Sequence, residues 1–329
     1  MKAFFFWLPL LTFPLHSLVM AQVPNSPSIK SPTRATADAP AKKSHTEESA
    51  SSTTRGTLNA AAPPRLGEPI NDKAVTRFLE NEGEKLARAN KTMTSWAKEI
   101  GRRSCHLKLP ASGKRKVSAT EIAERLERSV VIVGVLYRCE KCTELHLARA
   151  SGFLITESGA MVTSRHTLAN FTSDGAGVVA LTRDGQLCPV REVLAADPLS
   201  DLVVLQLEGA NFTPLPVAAS ALAGNPIFVM SHPESHFYLL TTGIISRYST
   251  QRRRDGAVNF LSITADFAKG SSGAPVVNEF GAAVGVVSNT HSIYFDDDDN
   301  GKQDNLQMVI KDCATSQALL DLVTQKAAR

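Results

Sequence analysis

The chain has 329 residues, a formal net charge of +4 and a 43% share of hydrophobic residues. This hydrophobic share is typical of a globular protein and allows a sizeable core. The small net charge and the scattered Lys and Arg residues give no indication of a nucleic-acid partner, and we expect none. The one basic cluster, Arg252-Arg253-Arg254, is followed by Asp255 and is typical of an exposed hairpin tip.

The N-terminal sequence predicts a secretory signal peptide. Lys2 precedes an apolar run over residues 3–20, and small residues follow at the place where a cleavage site is expected. A retained membrane anchor is the alternative, but Pro9 and Pro14 interrupt the run and disfavour a spanning helix. We therefore expect cleavage of residues 1–21, a secreted or periplasmic location, and no stable membrane insertion afterwards.

Residues 22–67 are rich in Ser, Thr, Ala, Pro and Lys and contain no aromatic residue. Such a segment cannot bury enough apolar surface to offset its ordering entropy, so it is predicted to be a disordered linker.

Residues 68–128 are predicted to form a helical N-terminal extension. Within 71–100, apolar residues recur at spacings of three, four and seven, which indicates an amphipathic helix. This helix either packs on the main domain, which we favour, or pairs with other copies as a short coiled coil. A capping-box sequence, Ser118-Ala119-Thr120-Glu121, predicts a second helix to about residue 128.

After residue 128 the pattern changes to short apolar segments separated by turn signals such as Asp184-Gly185. The predicted strands are 130–137, 146–156, 160–163, 178–182, 202–207, 226–230, 238–247, 259–265, 275–278, 282–288 and 306–310. Many short strands without interleaved helices predict an all-β barrel or sandwich. Residues 312–328 are predicted to close the chain with a helix.

The strongest chemical signal is Gly270-Ser271-Ser272-Gly273-Ala274-Pro275, in a turn between two predicted strands. A Gly two places before a Ser allows a tight turn that can aim the amides of Gly270 and Ser272 at one point, forming an oxyanion hole. A Gly/Ser-rich turn without chemistry is the alternative.

A serine hydroxyl is a weak nucleophile and needs a base and an orienting acid. His166 follows an apolar strand, and Asp201 begins another strand, Asp201-Leu202-Val203-Val204-Leu205. Each residue alone is more typical of a structural role. Together with Ser272 they occur in the order His, Asp, Ser, which is the order in chymotrypsin and not in subtilisin or the α/β-hydrolases.

Three segments together resemble the HtrA/Deg-type branch of the trypsin-like serine peptidases. They are Ala150-Ser151-Gly152-Phe153 with the segment leading to His166, the Asp201 strand, and Gly270 to Pro275 followed by Gly285-Val286-Val287-Ser288. The resemblance covers about residues 129–310 and implies an all-β fold of two six-stranded antiparallel barrels with the site between them. It implies His166 as general base, Asp201 as its orienting partner, Ser272 as nucleophile and Gly270 as an oxyanion donor.

Two departures from the family pattern are visible. Ala274 stands where the family usually has a second Gly. HtrA-type enzymes usually carry PDZ domains after the protease, but too few residues follow the last predicted strand for one. We therefore expect no gating through a PDZ domain in this sequence and leave a homo-oligomer open.

Asp266 lies six residues before Ser272, where trypsin-like enzymes place the floor of the S1 pocket. A carboxylate there selects Lys or Arg by charge. Alternatively, Asp266 turns away and pairs with Lys269 or caps its loop. Ser288 and Thr290 resemble the segment that binds the substrate backbone as an added strand.

Five cysteines remain in the exported chain: Cys105, Cys139, Cys142, Cys188 and Cys313. Export permits disulfides, and the odd count leaves at least one thiol free or paired between chains. Cys139 and Cys142 form a single CxxC with His146 nearby. A local disulfide is favoured over zinc, because a structural zinc site needs four ligands.

The acidic segment Asp296-Asp297-Asp298-Asp299-Asn300-Gly301 resembles a calcium loop, but Gln307 stands where the bidentate Glu is expected. A solvated acidic loop is the favoured interpretation, and no metal or cofactor is predicted for the chain.

The sequence thus predicts a serine endopeptidase that acts on proteins or peptides. The alternatives are an inactive relative that uses the same barrels for binding, and a vestigial protease whose N-terminal helix is the functional element.

Overall fold

The computed structural model describes residues 67–89, 101–138, 145–169, 177–297 and 303–324. They form two closed, six-stranded barrels in which neighbouring strands are antiparallel. Four α-helices accompany the barrels. The predicted fold class, an all-β pair of trypsin-like barrels with N-terminal helices and a C-terminal helix, is confirmed.

The first barrel contains six strands that pair in the order β1-β2-β3-β6-β5-β4 and close on themselves. Their bounds are β1 Val130–Arg138, β2 Leu145–Leu154, β3 Ala160–Ser164, β4 Gly177–Leu181, β5 Leu187–Asp197 and β6 Leu202–Leu207. Aliphatic side chains, among them Val131, Met161 and Leu205, fill its interior. Burial of this apolar surface is the main stabilising contribution to the barrel.

The second barrel pairs in the order β10-β11-β12-β9-β8-β7. Its strands are β7 Pro226–Ser231, β8 Leu239–Arg253, β9 Gly256–Ile263, β10 Pro275–Asn278, β11 Ala283–Asp297 and β12 Gln303–Thr315. Its interior is built from Ile227, Leu261, Val276 and similar residues. The β8–β9 turn carries Arg254 and Asp255, both exposed, so the predicted hairpin tip is confirmed.

A third apolar cluster joins the two barrels. Phe153 and Val204 of the first barrel meet Val277 and Val286 of the second, all between 0% and 1% exposed. Helices α2 (Ala119–Ser129) and α4 (Ser316–Thr324) contribute residues to the same cluster. This seam holds the two barrels together.

Helix α1 (Asp72–Ala89) packs on the outside of the first barrel through Leu79, which is fully buried against Leu136 and Val179. This is the packed arrangement that the sequence favoured over a coiled coil. Helix α2 begins at Ser118, whose side chain accepts a hydrogen bond from the Glu121 amide while the Glu121 carboxylate accepts one from the Ser118 amide. The predicted capping box is therefore present.

Several strand predictions need correction. Strand β8 continues to Arg253 and β11 to Asp297, beyond their predicted ends at 247 and 288. Strand β5 was not predicted; its buried residues alternate with partly exposed ones, and Pro189, Arg191 and Glu192 obscure that alternation. Strand β12 extends to Thr315, so α4 begins four residues later than predicted. Pairing of Cys313 with Val287 on one side and Leu261 on the other keeps this segment in the barrel.

Several predictions fall outside the described residues: the signal peptide over 1–21, most of the linker over 22–67, the CxxC at Cys139 and Cys142, and most of the acidic segment. In the part of the chain that the structure describes, no helix combines the length and apolar character needed to cross a bilayer.

Candidate active site

His166 is the first residue of a short helix, α3 (His166–Ala169), which follows strand β3. The β3 residues are all buried, so the chain emerges from the barrel just before this helix. The Arg165 amide donates a hydrogen bond of 2.9 Å to the Asp201 carbonyl oxygen. This bond ties the start of α3 to the β5–β6 turn and leaves the His166 side chain 47% exposed.

Asp201 lies at the end of the β5–β6 turn. The Asp197 carboxylate accepts hydrogen bonds from the amides of Leu199 (3.1 Å) and Ser200 (3.3 Å), so an Asx-type turn shapes this segment. Asp201 has a φ of +60°, a left-handed conformation that Asp adopts more readily than most residues. Its side chain is 13% exposed and faces His166.

Ser272 lies in the turn before β10, between Gly270 (φ +97°) and Gly273 (φ +88°). A β-carbon on Gly273 would lie 2.2 Å from the Ser151 carbonyl oxygen and 2.3 Å from Thr163 Oγ1. Only glycine fits at this position. The residue after Ser272 therefore packs directly on the first barrel, which brings Ser272 to the end of β3.

The structure brings His166, Asp201 and Ser272 together in one hydrogen-bonded chain. His166 Nδ1 is 2.6 Å from Asp201 Oδ2, and His166 Nε2 is 3.0 Å from Ser272 Oγ. The His166 amide (2.8 Å) and the Ser288 hydroxyl (2.9 Å) also donate to the Asp201 carboxylate. With Nδ1–H donating to Asp201, Nε2 is an acceptor for the serine proton. This geometry can activate an alcohol as a nucleophile.

The amides of Gly270 and Ser272 have no hydrogen-bond acceptor among the described residues. The neighbouring carbonyl groups are held elsewhere: the Lys269 oxygen accepts a bond of 2.8 Å from the Glu234 amide, and the Gly270 oxygen accepts one of 2.9 Å from Ser151 Oγ. The two amides are thus available to bind an anionic oxygen.

Asp266 has an exposed side chain that forms an ion pair with Lys311. Its side chain is 84% exposed, and Oδ1 lies 3.0 Å from Nζ of Lys311, which is itself only 16% exposed. Lys269, the partner considered as an alternative, instead lies 3.8 Å from Glu234. Lys311 therefore offsets the negative charge of Asp266, and the side chain that the protein prefers at P1 stays a prediction.

Strand β11 passes Ser272 with one open edge. Up to Val287 it bonds to the β10 side as well as to β12; beyond that residue, within the described ranges, only β12 pairs with it. The Ser288 carbonyl oxygen is 3.4 Å from Ser272 Oγ, and Thr290 is exposed two residues further along. The segment predicted to bind substrate backbone therefore has a free edge beside the serine.

Three described cysteines, Cys105, Cys188 and Cys313, are free thiols. Burial is the main cause that raises the pKa of all three, to about 12 for Cys188. These thiols therefore remain protonated at neutral pH and are poor nucleophiles, which separates them from the chemistry at Ser272.

Ser151 is a site residue whose role the sequence did not predict. It is fully buried; its hydroxyl donates to the Gly270 oxygen and accepts a bond of 3.1 Å from the His232 amide. The residue belongs to a segment that carried the family resemblance. Its role was hidden because the contact joins residues 119 positions apart.

Comparison with known proteins gives a consistent result. Residues 150–286 match the family model described as "Trypsin-like peptidase domain". A probable periplasmic serine endoprotease DegP-like of Marinomonas sp. is 26% identical over 144 residues, which are 43% of this chain and 30% of the relative. The mitochondrial serine protease HTRA2 of Drosophila grimshawi is 30% identical over 149 residues, 43% of this chain and 34% of the relative.

Among solved structures, the HtrA-type protease AlgW with tripeptide is similar at 21% identity and a TM-score of 0.48, covering 62% of each chain. The chain spans between about a fifth and two fifths of the length of the curated relatives it matches, which include the serine endoprotease DegS of Haemophilus influenzae. The two closed barrels, the family model over residues 150–286 and these relatives make the chain similar to the trypsin-like serine peptidases of the HtrA type.

Proposed function

We propose that the chain is a serine endopeptidase that hydrolyses peptide bonds of proteins or peptides through an acyl-enzyme intermediate. The observation that carries this proposal is the hydrogen-bonded chain from Asp201 through His166 to Ser272, with distances of 2.6 Å and 3.0 Å. The relatives named as serine endoproteases support the same chemistry.

In this mechanism His166 Nε2 accepts the proton from Ser272 Oγ as that oxygen attacks the scissile carbonyl carbon. The proton then passes from Nε2 to the leaving amine nitrogen, and the acyl group remains on Ser272. A water molecule attacks the acyl carbon with His166 again as base, which releases the acid and restores Ser272. Asp201 accepts the Nδ1–H bond throughout, so it holds the required tautomer and stabilises the imidazolium.

The amides of Gly270 and Ser272 are the proposed oxyanion donors. Negative charge develops on the carbonyl oxygen only as the tetrahedral intermediate forms, so donors already fixed in place stabilise the transition state more than the substrate. Removal of one such donor typically lowers kcat by ~10²–10³-fold. Both amides lack an acceptor among the described residues, which supports this assignment.

The substrate is proposed to bind as an added strand along the open edge of β11. Its backbone, on the N-terminal side of the scissile bond, would bond to the carbonyl group of Ser288 and to the backbone of Thr290. Main-chain bonds of this kind depend little on side-chain identity. They therefore suit an enzyme that acts on unfolded or extended polypeptide segments.

For the whole chain we propose an exported protein, secreted or periplasmic, with a signal peptide over 1–21 and a linker over 22–67. A helical extension over 68–128 then precedes a peptidase domain over 129–329. The relative named as periplasmic supports export. N-terminal sequencing of the protein recovered from the producing cell checks the cleavage, and light scattering measures whether the chain forms a homo-oligomer.

Labelling with a fluorophosphonate probe tests the proposed function. The wild-type chain is expected to be labelled, and Ser272→Ala and His166→Ala are expected to lose the label. Ser271→Ala is the matched control: its hydroxyl bonds to Ser231 Oγ at 2.9 Å inside the fold, and this variant should keep the label. Absence of labelling in the folded wild-type chain would instead favour a protease fold used only for binding.

A further inference from the structure

The β7–β8 loop, residues 232–238, connects helix α1 to the peptide group that carries the Gly270 amide. The Glu234 amide donates a hydrogen bond of 2.8 Å to the Lys269 carbonyl oxygen. A β-carbon on Gly270 would lie 2.5 Å from the His232 carbonyl oxygen. The backbone of the β7–β8 loop therefore packs directly on the Lys269–Gly270 peptide.

This contact determines which way the Lys269–Gly270 peptide faces. In a trans peptide the carbonyl and N–H groups point in opposite directions. Because the Lys269 oxygen bonds to the loop, the Gly270 N–H points away from it, and no described residue accepts a hydrogen bond from that N–H. A reversed peptide would present an oxygen in place of the N–H, and an anionic oxygen would then be repelled.

The β7–β8 loop does not owe its shape to local backbone preference. Three of its residues, Glu234 (φ +45°), Ser235 (φ +70°) and Tyr238 (φ +59°), have left-handed backbone conformations although none is glycine. Residues with side chains adopt this region rarely, and they remain there only where surrounding contacts hold them. The loop therefore needs anchors outside itself.

Helix α1 supplies such an anchor. Asp72 Oδ1 accepts a hydrogen bond of 3.2 Å from the Phe237 amide. The Phe237 side chain is 5% exposed and lies in the same apolar cluster as Val75, Phe78 and Leu79 of α1. The loop that touches the Lys269–Gly270 peptide is thus bound at its other end to the N-terminal helix.

We propose that α1 positions the oxyanion hole. By holding Phe237 it holds the β7–β8 loop, and the loop holds the Lys269–Gly270 peptide so that the Gly270 amide is presented to the substrate. Phe237 and Asp72 are then positioning residues that do not touch the substrate. This inference rests on the proposed peptidase function, since the oxyanion hole matters only for that chemistry.

The kinetic test uses Phe237→Ala in the full chain. We expect kcat for a peptide substrate to fall by ~10- to 100-fold, because one oxyanion donor is misplaced in most molecules. KM should stay within ~2-fold, since the β11 edge is unchanged. Phe237→Leu, which keeps an apolar anchor, should restore most of the activity.

Leu207→Ala is the matched control. Leu207 belongs to β6, is 2% exposed and lies in the interior cluster of the first barrel, which includes no residue of the β7–β8 loop. It loses a comparable amount of apolar contact, and its kcat should remain that of the wild-type chain. Where Phe237→Ala does not fold, Asp72→Ala removes only the hydrogen-bond acceptor and serves the same comparison, with Asp72→Asn as the variant that keeps an acceptor.

A second measurement does not depend on activity. In ¹⁵N-labelled Ser272→Ala protein, adding Phe237→Ala should shift or broaden the Gly270 amide resonance, and adding Leu207→Ala should not. An unchanged Gly270 resonance, or equal kcat values for Phe237→Ala and Leu207→Ala, would overturn the inference. A wild-type chain without hydrolysis or probe labelling would contradict the proposed function alone, and the Gly270 resonance would still decide whether α1 positions this peptide.

Discussion

Gly273 lies so close to Ser151 that a β-carbon on Gly273 would be 2.2 Å from the Ser151 carbonyl oxygen. Ser151 belongs to β2 of the first barrel, and Gly273 belongs to the turn before β10 of the second. The Ser151 amide also donates a bond of 3.0 Å to the Ser272 carbonyl oxygen. These contacts attach the turn of Ser272 to the barrel that carries His166 and Asp201.

Gly273→Ala should therefore destabilise the protein and lower its activity. The added methyl group meets backbone atoms that cannot move away, and φ is +88°, so we expect a loss of about 3 kcal/mol in the free energy of unfolding. Gly224→Ala is the control, because Gly224 has a similar φ of +86° but nothing within 4 Å; it should lose only about 1 kcal/mol. Urea unfolding measures the free energy of unfolding of the two variants. Equal losses would contradict the close contact at Gly273.

Asp201→Asn should lower kcat by ~10⁴-fold with the fold intact. The amide can donate a hydrogen bond to His166 Nδ1, which would favour the tautomer that cannot accept the Ser272 proton. Ser288→Ala removes only one of the bonds to the carboxylate and leaves the His166–Asp201 contact, so its kcat should fall by at most ~10-fold. Steady-state kinetics with one peptide substrate compares Asp201→Asn with Ser288→Ala. Similar kcat values for the two variants would argue against a tautomer role for Asp201.

Wild-type protein should show no preference for Arg at P1, since Lys311 compensates the Asp266 carboxylate at 3.0 Å. Lys311→Met removes that cation while keeping the length of the side chain. The variant should increase kcat/KM for a P1 Arg peptide relative to a P1 Val peptide, and Lys311→Arg should not. Cleavage of matched peptides with Arg, Val or Glu at P1 gives the ratios of kcat/KM between these side chains. A strong Arg preference already present in the wild-type chain would contradict the pairing.

We expect His232 to make the protein less stable in acid. The ring is fully buried, its Nδ1 accepts a hydrogen bond of 3.0 Å from the Tyr238 amide, and burial lowers the pKa of His232 from 6.5 to about 3. Because the unfolded chain binds this proton below pH 6.5 and the folded chain does not, stability is lost as pH falls from 6.5 towards 3. We expect this loss to be about 2 kcal/mol at pH 5.

Urea unfolding of His232→Asn at pH 7 and pH 5 checks this contribution. The Asn side chain can still accept the Tyr238 amide bond but takes up no proton, so the decrease between the two pH values should be about 2 kcal/mol smaller than in the wild-type chain. His236→Asn, at an exposed position, is the control. An identical decrease in wild type and His232→Asn would show that His232 is not the group responsible.

The fold class and the three central site residues could be predicted from sequence because their signals are local. Short apolar segments with turn residues between them predict barrel strands. The chain order of His166, Asp201 and Ser272 is the order in chymotrypsin and differs from that in subtilisin and the α/β-hydrolases. The capping box at Ser118 is also a local pattern, and the structure contains it. The catalytic roles of the three side chains stay predictions until probe labelling or kinetics tests them.

Features that depend on pairing between distant segments could not be predicted in the same way. Lys311 reaches Asp266 because β12 folds back beside β9, and no spacing in the sequence brings the two residues together. The Ser151–Gly270 bond and the Phe237–Asp72 bond likewise join distant positions. Strand β5 was missed because Pro189 and two charged residues interrupt its pattern.

The proposed base His166 and its partner Asp201 belong to the first barrel and the proposed nucleophile Ser272 belongs to the second, so neither barrel carries all three residues. A displacement of one ångström along the seam would stretch the 3.0 Å bond between His166 and Ser272 beyond useful length while leaving every strand paired. Loss of probe labelling should therefore precede loss of β-structure on gentle heating. The rate of turnover then reports on how tightly the two barrels pack against each other.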